Sequence, residues 1–167
     1  MNIILFDQPS FRNQLKPITL TRPIGKVRIG ILTIDEKWKK YLDYEVSFLT
    51  EDYLNKKFPT NYRANNIYIN ASYLPNIDFA NAILGLNENE SLIFNDIPIA
   101  FCSPIKYLYG EQNIRSLKNV IYTGQNIVSI KELPHLFLNN GQQIQTDFDF
   151  LTANRTSNII TDKYTAV

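Results

Sequence analysis

The sequence predicts an α/β domain with a mixed, mostly parallel sheet, flanking helices and one small β-hairpin. Short apolar runs of strand composition alternate with amphipathic segments that carry helix caps, which is the pattern of that fold class. The pair Asn95-Asp96 separates two β-like runs and favours a tight hairpin turn, because both residue types tolerate positive φ. The chain has 167 residues, 44% of them hydrophobic and 20% charged, which suits one globular domain.

Each element rests on a local signal. Period-2 or continuous apolar patterns predict strands over residues 1–6, 44–49, 66–71, 91–94, 97–101, 119–123 and 142–150. Caps and apolar spacing predict helices over residues 33–42, 50–58, 78–86 and 130–138. The clearest signal is the capping box that begins at Thr33, where Glu36 can reach back to the Thr33 amide. The run Asn139-Asn140-Gly141 predicts the end of the last helix.

A basic stretch over residues 12–38 follows the first strand. No acidic residue lies between Asp7 and Asp35, and two prolines with two glycines disfavour regular helix. A cation-rich loop that leaves a sheet strand is suited to a polyanion such as a triphosphate, although solvated surface charge is the alternative. The candidate phosphate ligands are Arg12, Lys16, Arg22, Lys26 and Arg28.

Polar residues at two strand ends are further candidates. Asp7 ends the first strand and could contact a base or ribose, or instead form an ion pair with Arg12. Asn70 and Ser72 end the strand over residues 66–71 and could contact a sugar, or instead cap the strand end.

A possible metal pair lies near the C-terminus. Asp147 and Asp149 have Asp-x-Asp spacing, and in the predicted strand over residues 142–150 both carboxylates would point to one face. Two carboxylates on one face could share Mg²⁺, or they could simply face solvent.

Composition excludes several classes of protein. The net charge of +1 gives no global attraction to nucleic acid. The only cysteine, Cys102, permits no internal disulfide, which favours a reducing compartment. The N-terminus lacks the pattern of a signal peptide, and no apolar run approaches the ~20 residues of a membrane span. We therefore expect a cytoplasmic protein with no membrane and no nucleic-acid partner.

The order of motifs resembles that of sugar-1-phosphate nucleotidyltransferases. The apolar strand, Arg12, the run Leu15-Lys16-Pro17-Ile18-Thr19 and then Arg22-Pro23 and Lys26 carry this resemblance. It is nearest to a divergent bacterial branch, similar to the N-terminal half of bifunctional N-acetylglucosamine-1-phosphate uridylyltransferase-like proteins and to glucose-1-phosphate thymidylyltransferase-like proteins. The resemblance implies a Rossmann-like domain that transfers a nucleotidyl group from UTP or dTTP to a sugar 1-phosphate, with Mg²⁺ as cofactor.

The resemblance also implies roles for individual residues. Arg12, Arg22 and Lys26 would bind the phosphates, and Arg12 and Lys26 would be catalytic. The residue patterns described above, rather than the resemblance, suggest Asp7 and Arg28 as further nucleotide contacts, Asn70 and Ser72 as sugar contacts, and Asp147 and Asp149 as ligands of Mg²⁺.

Two departures from the family pattern open an alternative. The stretch at residues 7–11 contains no glycine where the family has a glycine-rich loop, and Asn70 stands where the family has a metal-binding Asp. The alternative is a catalytically degenerate nucleotide-binding or scaffold domain attached to a β-helix acyltransferase. In either case residues 1–153 would form the nucleotidyltransferase-like domain and residues 154–167 a linker toward a β-helix. That β-helix would be the contact for a homo-oligomer.

Overall fold

A computed structural model describes residues 1–110, 116–153, 155–156 and 161. In this part of the chain, six strands form one sheet in the order β2-β1-β3-β5-β4-β6. The strands are β1 (Ile3–Phe6), β2 (Val46–Leu49), β3 (Asn66–Asn70), β4 (Glu90–Phe94), β5 (Ile97–Ser103) and β6 (Lys118–Ile121). The α-helices are α1 (Pro9–Gln14), α2 (Ile34–Leu42), α3 (Ile77–Leu84) and α4 (Leu133–Thr152).

The sheet is mixed and mostly parallel, as the sequence predicts. Strand β1 pairs in parallel with β2 and β3, and β4 pairs in parallel with β6. Strand β5 runs antiparallel to β3 and β4. The β4–β5 hairpin turns at Asn95 and Asp96, whose φ values of 49° and 60° confirm the expected turn chemistry.

The larger core lies on the face of the sheet that α2 and α3 cover. The Trp38 ring of α2 meets the Phe79 ring of α3 edge to face at 5.1 Å, and both side chains are fully buried. Helix α2 begins at the predicted capping box, where the Thr33 amide donates to Glu36 Oε2 at 2.7 Å. The opposite face carries a smaller aromatic cluster, in which the Tyr68 ring stacks on the Phe101 ring at 4.7 Å.

The C-terminal prediction is wrong. Residues 130–138 and 142–150 do not form a helix followed by a strand, because a single helix, α4, runs from Leu133 to Thr152 through Gly141. Helix α4 docks on the loop before α2: Asp147 accepts hydrogen bonds from the amides of Ile31 and Leu32 at 2.9 and 3.1 Å. A buried ion pair between Asp147 and Lys37 adds to this attachment. Most of the predicted linker, residues 154–167, lies outside the described residues.

No helix among the described residues has the length and apolar character needed to cross a membrane.

Candidate functional site

The carboxyl ends of three parallel strands meet at one edge of the sheet. Strand β1 lies between β2 and β3, so the chain passes from β1 outward to β2 and then crosses β1 to reach β3. Open α/β sheets bind ligands where the strand order reverses in this way, which here is the carboxyl edge between β1 and β3. The polar residues at the carboxyl ends of the three strands are Asp7, Thr50 and Asn70, and all three are buried.

Arg12 lies in α1 behind this edge, and its side chain is only 1% exposed. All five N–H donors of the guanidinium have protein acceptors. The acceptors are Glu51 at 3.3 Å, Asp7 at 2.6 Å, the Arg22 carbonyl at 3.1 Å, the Tyr53 hydroxyl at 3.1 Å and the Thr19 carbonyl. All five donors of Arg12 are thus occupied within the protein, so we expect this side chain to hold the loop, and its predicted catalytic contact with phosphate stays a prediction.

Asp7 is fully buried and is occupied by the same network. Its carboxylate accepts from Arg12, from the Thr50 hydroxyl at 2.7 Å and from the Ile24 amide at 2.9 Å. Burial raises the pKa of Asp7 to about 6, against the lowering effects of the Thr50 hydrogen bond and the Arg12 charge. The ion pair with Arg12, one of the two readings of the sequence, is what the structure contains.

The other predicted cations differ in how many of their N–H donors are already bound within the protein. Lys26 pairs with Asp35 at 2.6 Å and lies 5.3 Å from the centre of the Phe48 ring. Arg28 is exposed and donates to the carbonyl of Ile31. The Arg22 side chain is exposed and, among the described residues, has no hydrogen-bonding partner in the protein. Of the predicted phosphate ligands beyond Arg12, Arg22 is thus the one with the most free donors; Lys16 is also exposed.

Asn70 and Ser72 both lie at the carboxyl end of β3. The Asn70 amide donates to Gln8 Oε1 at 2.9 Å and so bridges the β1 and β3 sides of the edge. The side-chain carbonyl oxygen of Asn70 accepts from the backbone amide of Ser72 at 3.1 Å, as in a strand-capping turn. The Ser72 hydroxyl is buried and has no partner among the described residues. Both side chains are fully buried, and the predicted sugar contacts stay predictions.

Asp147 and Asp149 do not form the predicted metal pair. They lie on a helix, where residues two apart point about 200° from each other, rather than on one strand face. Asp147 is neutralised by Lys37, and Asp149 faces solvent and accepts from Gln145 at 2.8 Å. Within the described residues no group of three His, Cys, Asp or Glu side chains is arranged to hold a metal ion. Asp147 and Asp149 therefore do not fit a shared Mg²⁺.

The sequence reasoning missed a cavity at the carboxyl end of β2. Its volume is about 320 Å³, and it lies directly beside the Asp7–Arg12 network, because Thr50 belongs to both. The lining includes Thr50, Asp52, Asn55, Thr60, Tyr62 and Tyr109. The side-chain carbonyl oxygen of Asn55 is buried and has no hydrogen-bond partner among the described residues. The sequence signal was present in the run Thr50-Glu51-Asp52-Tyr53, which the cap pattern explained only as a helix start.

Lys131 is a second feature that the sequence did not single out. Its ammonium group lies 5.2 Å from the centre of the Phe11 ring and 5.3 Å from that of the Tyr73 ring. Tyr73 follows the carboxyl end of β3, and the amide of Ile130, next to Lys131, donates to the Ser72 carbonyl at 2.7 Å. Lys131 is therefore a half-buried cation close to the same edge of the sheet.

Comparison with known proteins and protein families indicates what the chain is related to. A comparison with curated proteins finds no significant match. A protein family described as sugar nucleotidyl transferase matches residues 3–156, which is nearly the whole chain. That match extends from the start of β1 past the end of α4, so it includes the whole sheet and every site residue named above. The chain therefore belongs to the sugar nucleotidyl transferase family.

Proposed function

We propose that the chain transfers a nucleotidyl group from UTP or dTTP to a sugar 1-phosphate, giving an NDP-sugar and pyrophosphate. The observation that carries this proposal is the cavity at the carboxyl end of β2, which lies beside the polar residues that follow β1 and end β3 at the switch point of the sheet. Family membership supplies the general reaction, and the geometry suggests how the two substrates are arranged.

The nucleoside would occupy the cavity at the end of β2. A volume of about 320 Å³ is of the size expected for a small-ligand site, and Tyr62 and Tyr109 provide flat apolar surface for a base. The side chain of Asn55 lines the cavity, and its carbonyl oxygen has no partner among the described residues. A turn of this side chain toward the ligand would present the oxygen to the N3–H donor that uracil and thymine share. Cytosine lacks a hydrogen at N3, so an acceptor at this place favours UTP or dTTP over CTP.

The sugar 1-phosphate would bind at the carboxyl edge of the sheet between β1 and β3, the switch point of the strand order. One of its phosphate oxygens attacks the α-phosphorus of the NTP, the bond from that phosphorus to the bridging oxygen breaks, and pyrophosphate leaves with the electron pair. No protein nucleophile is needed, so the protein aligns the substrates and offsets charge. Arg22 and Lys131 are cations with free donors near this edge, whereas Arg12 is occupied.

The test is pyrophosphate release with Mg²⁺, each NTP and a set of sugar 1-phosphates. We expect turnover with UTP or dTTP and none with CTP. Asn55→Ala should weaken nucleotide binding about tenfold, the effect of losing one buried hydrogen bond. The control Asn81→Ala, on the exposed side of α3, should leave binding unchanged. Equal binding of all NTPs, unaffected by Asn55→Ala, would refute the nucleoside position.

A second candidate function is a nucleotide-binding or scaffold domain without catalysis, attached to a β-helix acyltransferase. Two observations favour it: the Arg12 donors are all occupied, and the assigned carboxylates diverge. This candidate predicts that UTP or dTTP raises the unfolding temperature while no sugar 1-phosphate yields pyrophosphate. Turnover above background would exclude it.

A further inference from the structure

Helix α4 carries an apolar stripe on its exposed side. Phe137 is 84% exposed, Ile144 is 44% exposed and Phe148 is 54% exposed. At 3.6 residues per turn these three side chains and Gly141 lie within about 60° of one another around the helix axis. The buried side of α4, with Gln143 and Asp147, faces a different direction. The domain thus leaves unburied a stripe of the kind that helices normally place against a partner.

The spacing of the stripe is the same when read in either direction. Positions 137, 141, 144 and 148 are separated by four, three and four residues. An antiparallel copy of α4, related by a two-fold axis between positions 142 and 143, places Phe137 opposite Phe148 of the partner and Gly141 opposite Ile144. Large side chains then meet large ones at the two ends, and a branched side chain meets a gap in the middle. Such self-complementarity is the property of a two-fold interface.

Gly141 is the most informative member of the stripe. A glycine in a helix interior is about 1 kcal/mol less favourable than alanine. Among the described residues, no atom lies within 4 Å of a Cβ placed on Gly141, so no neighbour in the described fold requires a glycine at this position. A missing side chain on an otherwise apolar stripe allows close approach of another chain, here by the Ile144 side chain of a second copy.

The charge of the helix is compatible with contact between two copies. Helix α4 contains no lysine or arginine, and the residues that flank the stripe include Asn140 and Gln145. Of its two carboxylates, Asp147 is buried against Lys37. Two copies can therefore approach without placing like charges opposite each other, and the amide side chains can hydrogen-bond across the rim.

We propose that the α4 stripe is the interface of a symmetric, antiparallel dimer of this chain. The three large side chains of two copies expose roughly 700 Å², taking ~200 Å² for a fully exposed aromatic side chain. This area is below the standard size range for stable interfaces, so we expect a weak, reversible dimer with a dissociation constant of about 10–100 micromolar. This proposal does not depend on the nucleotidyl transfer proposed above.

The first test is sedimentation velocity of the full chain over a concentration series. The wild type should pass from monomer to dimer, and Phe148→Glu should remain monomeric with an unchanged circular dichroism spectrum. Gly141→Ala should raise the unfolding temperature of the monomer through helix propensity and yet weaken association at least tenfold, because its methyl group fills the gap for Ile144. Leu138→Ser is the matched control, since Leu138 is 78% exposed but lies off the stripe.

The second test fixes the orientation of the two helices. Phe137→Cys and Phe148→Cys should form a disulfide when the two variants are mixed, because those positions face each other in the antiparallel pair. Each variant alone should not crosslink, since identical positions lie about 16 Å apart along the axis. The wild-type Cys102 is buried and serves as the unreactive background.

Three results would overturn the proposal. One is a wild-type chain that stays monomeric at high concentration. Another is a dimer that Phe148→Glu leaves intact. The third is crosslinking of either cysteine variant with itself, which would indicate parallel helices.

Discussion

Replacing Arg12 with alanine tests whether this guanidinium holds the fold or the substrate. The substitution leaves the buried Asp7 carboxylate without its cation and leaves the carbonyls of Thr19 and Arg22 without a donor. Removal of one partner from a buried ion pair destabilises proteins by about 3–5 kcal/mol. The orphaned carbonyls add to that loss, although such contributions are not additive. We expect a decrease of about 4 kcal/mol in the free energy of unfolding, against a total of about 5–15 kcal/mol for a domain.

Urea unfolding followed by circular dichroism measures this loss. With a slope of about 2 kcal/mol per molar urea, 4 kcal/mol lowers the midpoint by about 2 M. Arg22→Ala is the control, because its exposed side chain should change stability by less than about 0.5 kcal/mol. The double variant Asp7→Ala with Arg12→Ala should be less destabilised than the sum of the single variants, since it leaves no unpaired buried charge.

One outcome would refute the reasoning about Arg12. In that outcome, Arg12→Ala unfolds at the same urea concentration as Arg22→Ala and yet binds nucleotide much more weakly. That result would mean that the five protein contacts of Arg12 do not stabilise the fold and that its main role is to bind the nucleotide. The expectation drawn from the sequence, in which Arg12 binds phosphate, would then be the better one.

Three further predictions concern the same framework. Lys37→Met should lower the free energy of unfolding by about 3 kcal/mol, because Asp147 keeps its two amide donors but loses its buried cation. Gly30→Ala should lower the free energy of unfolding by about 2–4 kcal/mol in the same urea assay, because Gly30 has φ +77° and an added Cβ would lie 2.5 Å from Asp147 Oδ2. The control is Gly85→Ala, which should be neutral or stabilising because an added Cβ at Gly85 makes only ordinary contacts. The pKa of Asp7 is raised from 3.8 to about 6, so the folded state binds the Asp7 proton more tightly than the unfolded state does. The free energy of unfolding should therefore fall as the pH rises from about 4 to 6, by up to about 1.4 kcal/mol per pH unit. Asp7→Asn should abolish that slope in urea midpoints measured across this range.

The parts of the fold that could be predicted are those with a local cause. The start of α2 follows from Thr33 and Glu36, three residues apart, which satisfy each other's backbone without help from the rest of the chain. The β4–β5 turn follows from Asn95 and Asp96, because few other residues accept positive φ at two successive positions. In both cases the signal and the structure that it specifies lie within a few residues.

Helix α4 could not be predicted in the same way, because its cause lies elsewhere in the chain. Residues 142–150 alternate in polarity, which favours a strand, and Gly141 ordinarily marks a helix end. The structure overrides both signals through contacts with the loop before α2: Asp147 pairs with Lys37, 110 residues away, and Asn140 accepts from the Gly30 amide at 2.8 Å. A period of 3.6 places Gln143 and Asp147 on the buried side, a pattern that becomes visible only when their partners are known.

The same reasoning explains why the candidate site was only partly predicted. Arg12 and Arg22 are the same residue type, ten positions apart, and the sequence predicts that both bind phosphate. The structure separates them, because Asp7, Glu51 and Tyr53 reach Arg12 from other elements, whereas the Arg22 side chain is left exposed. Arg12→Ala should therefore change the stability of the domain and leave the nucleotide affinity of the folded fraction intact. Arg22→Ala should do the reverse, and a thermal-shift titration with UTP at matched folded concentrations distinguishes the two.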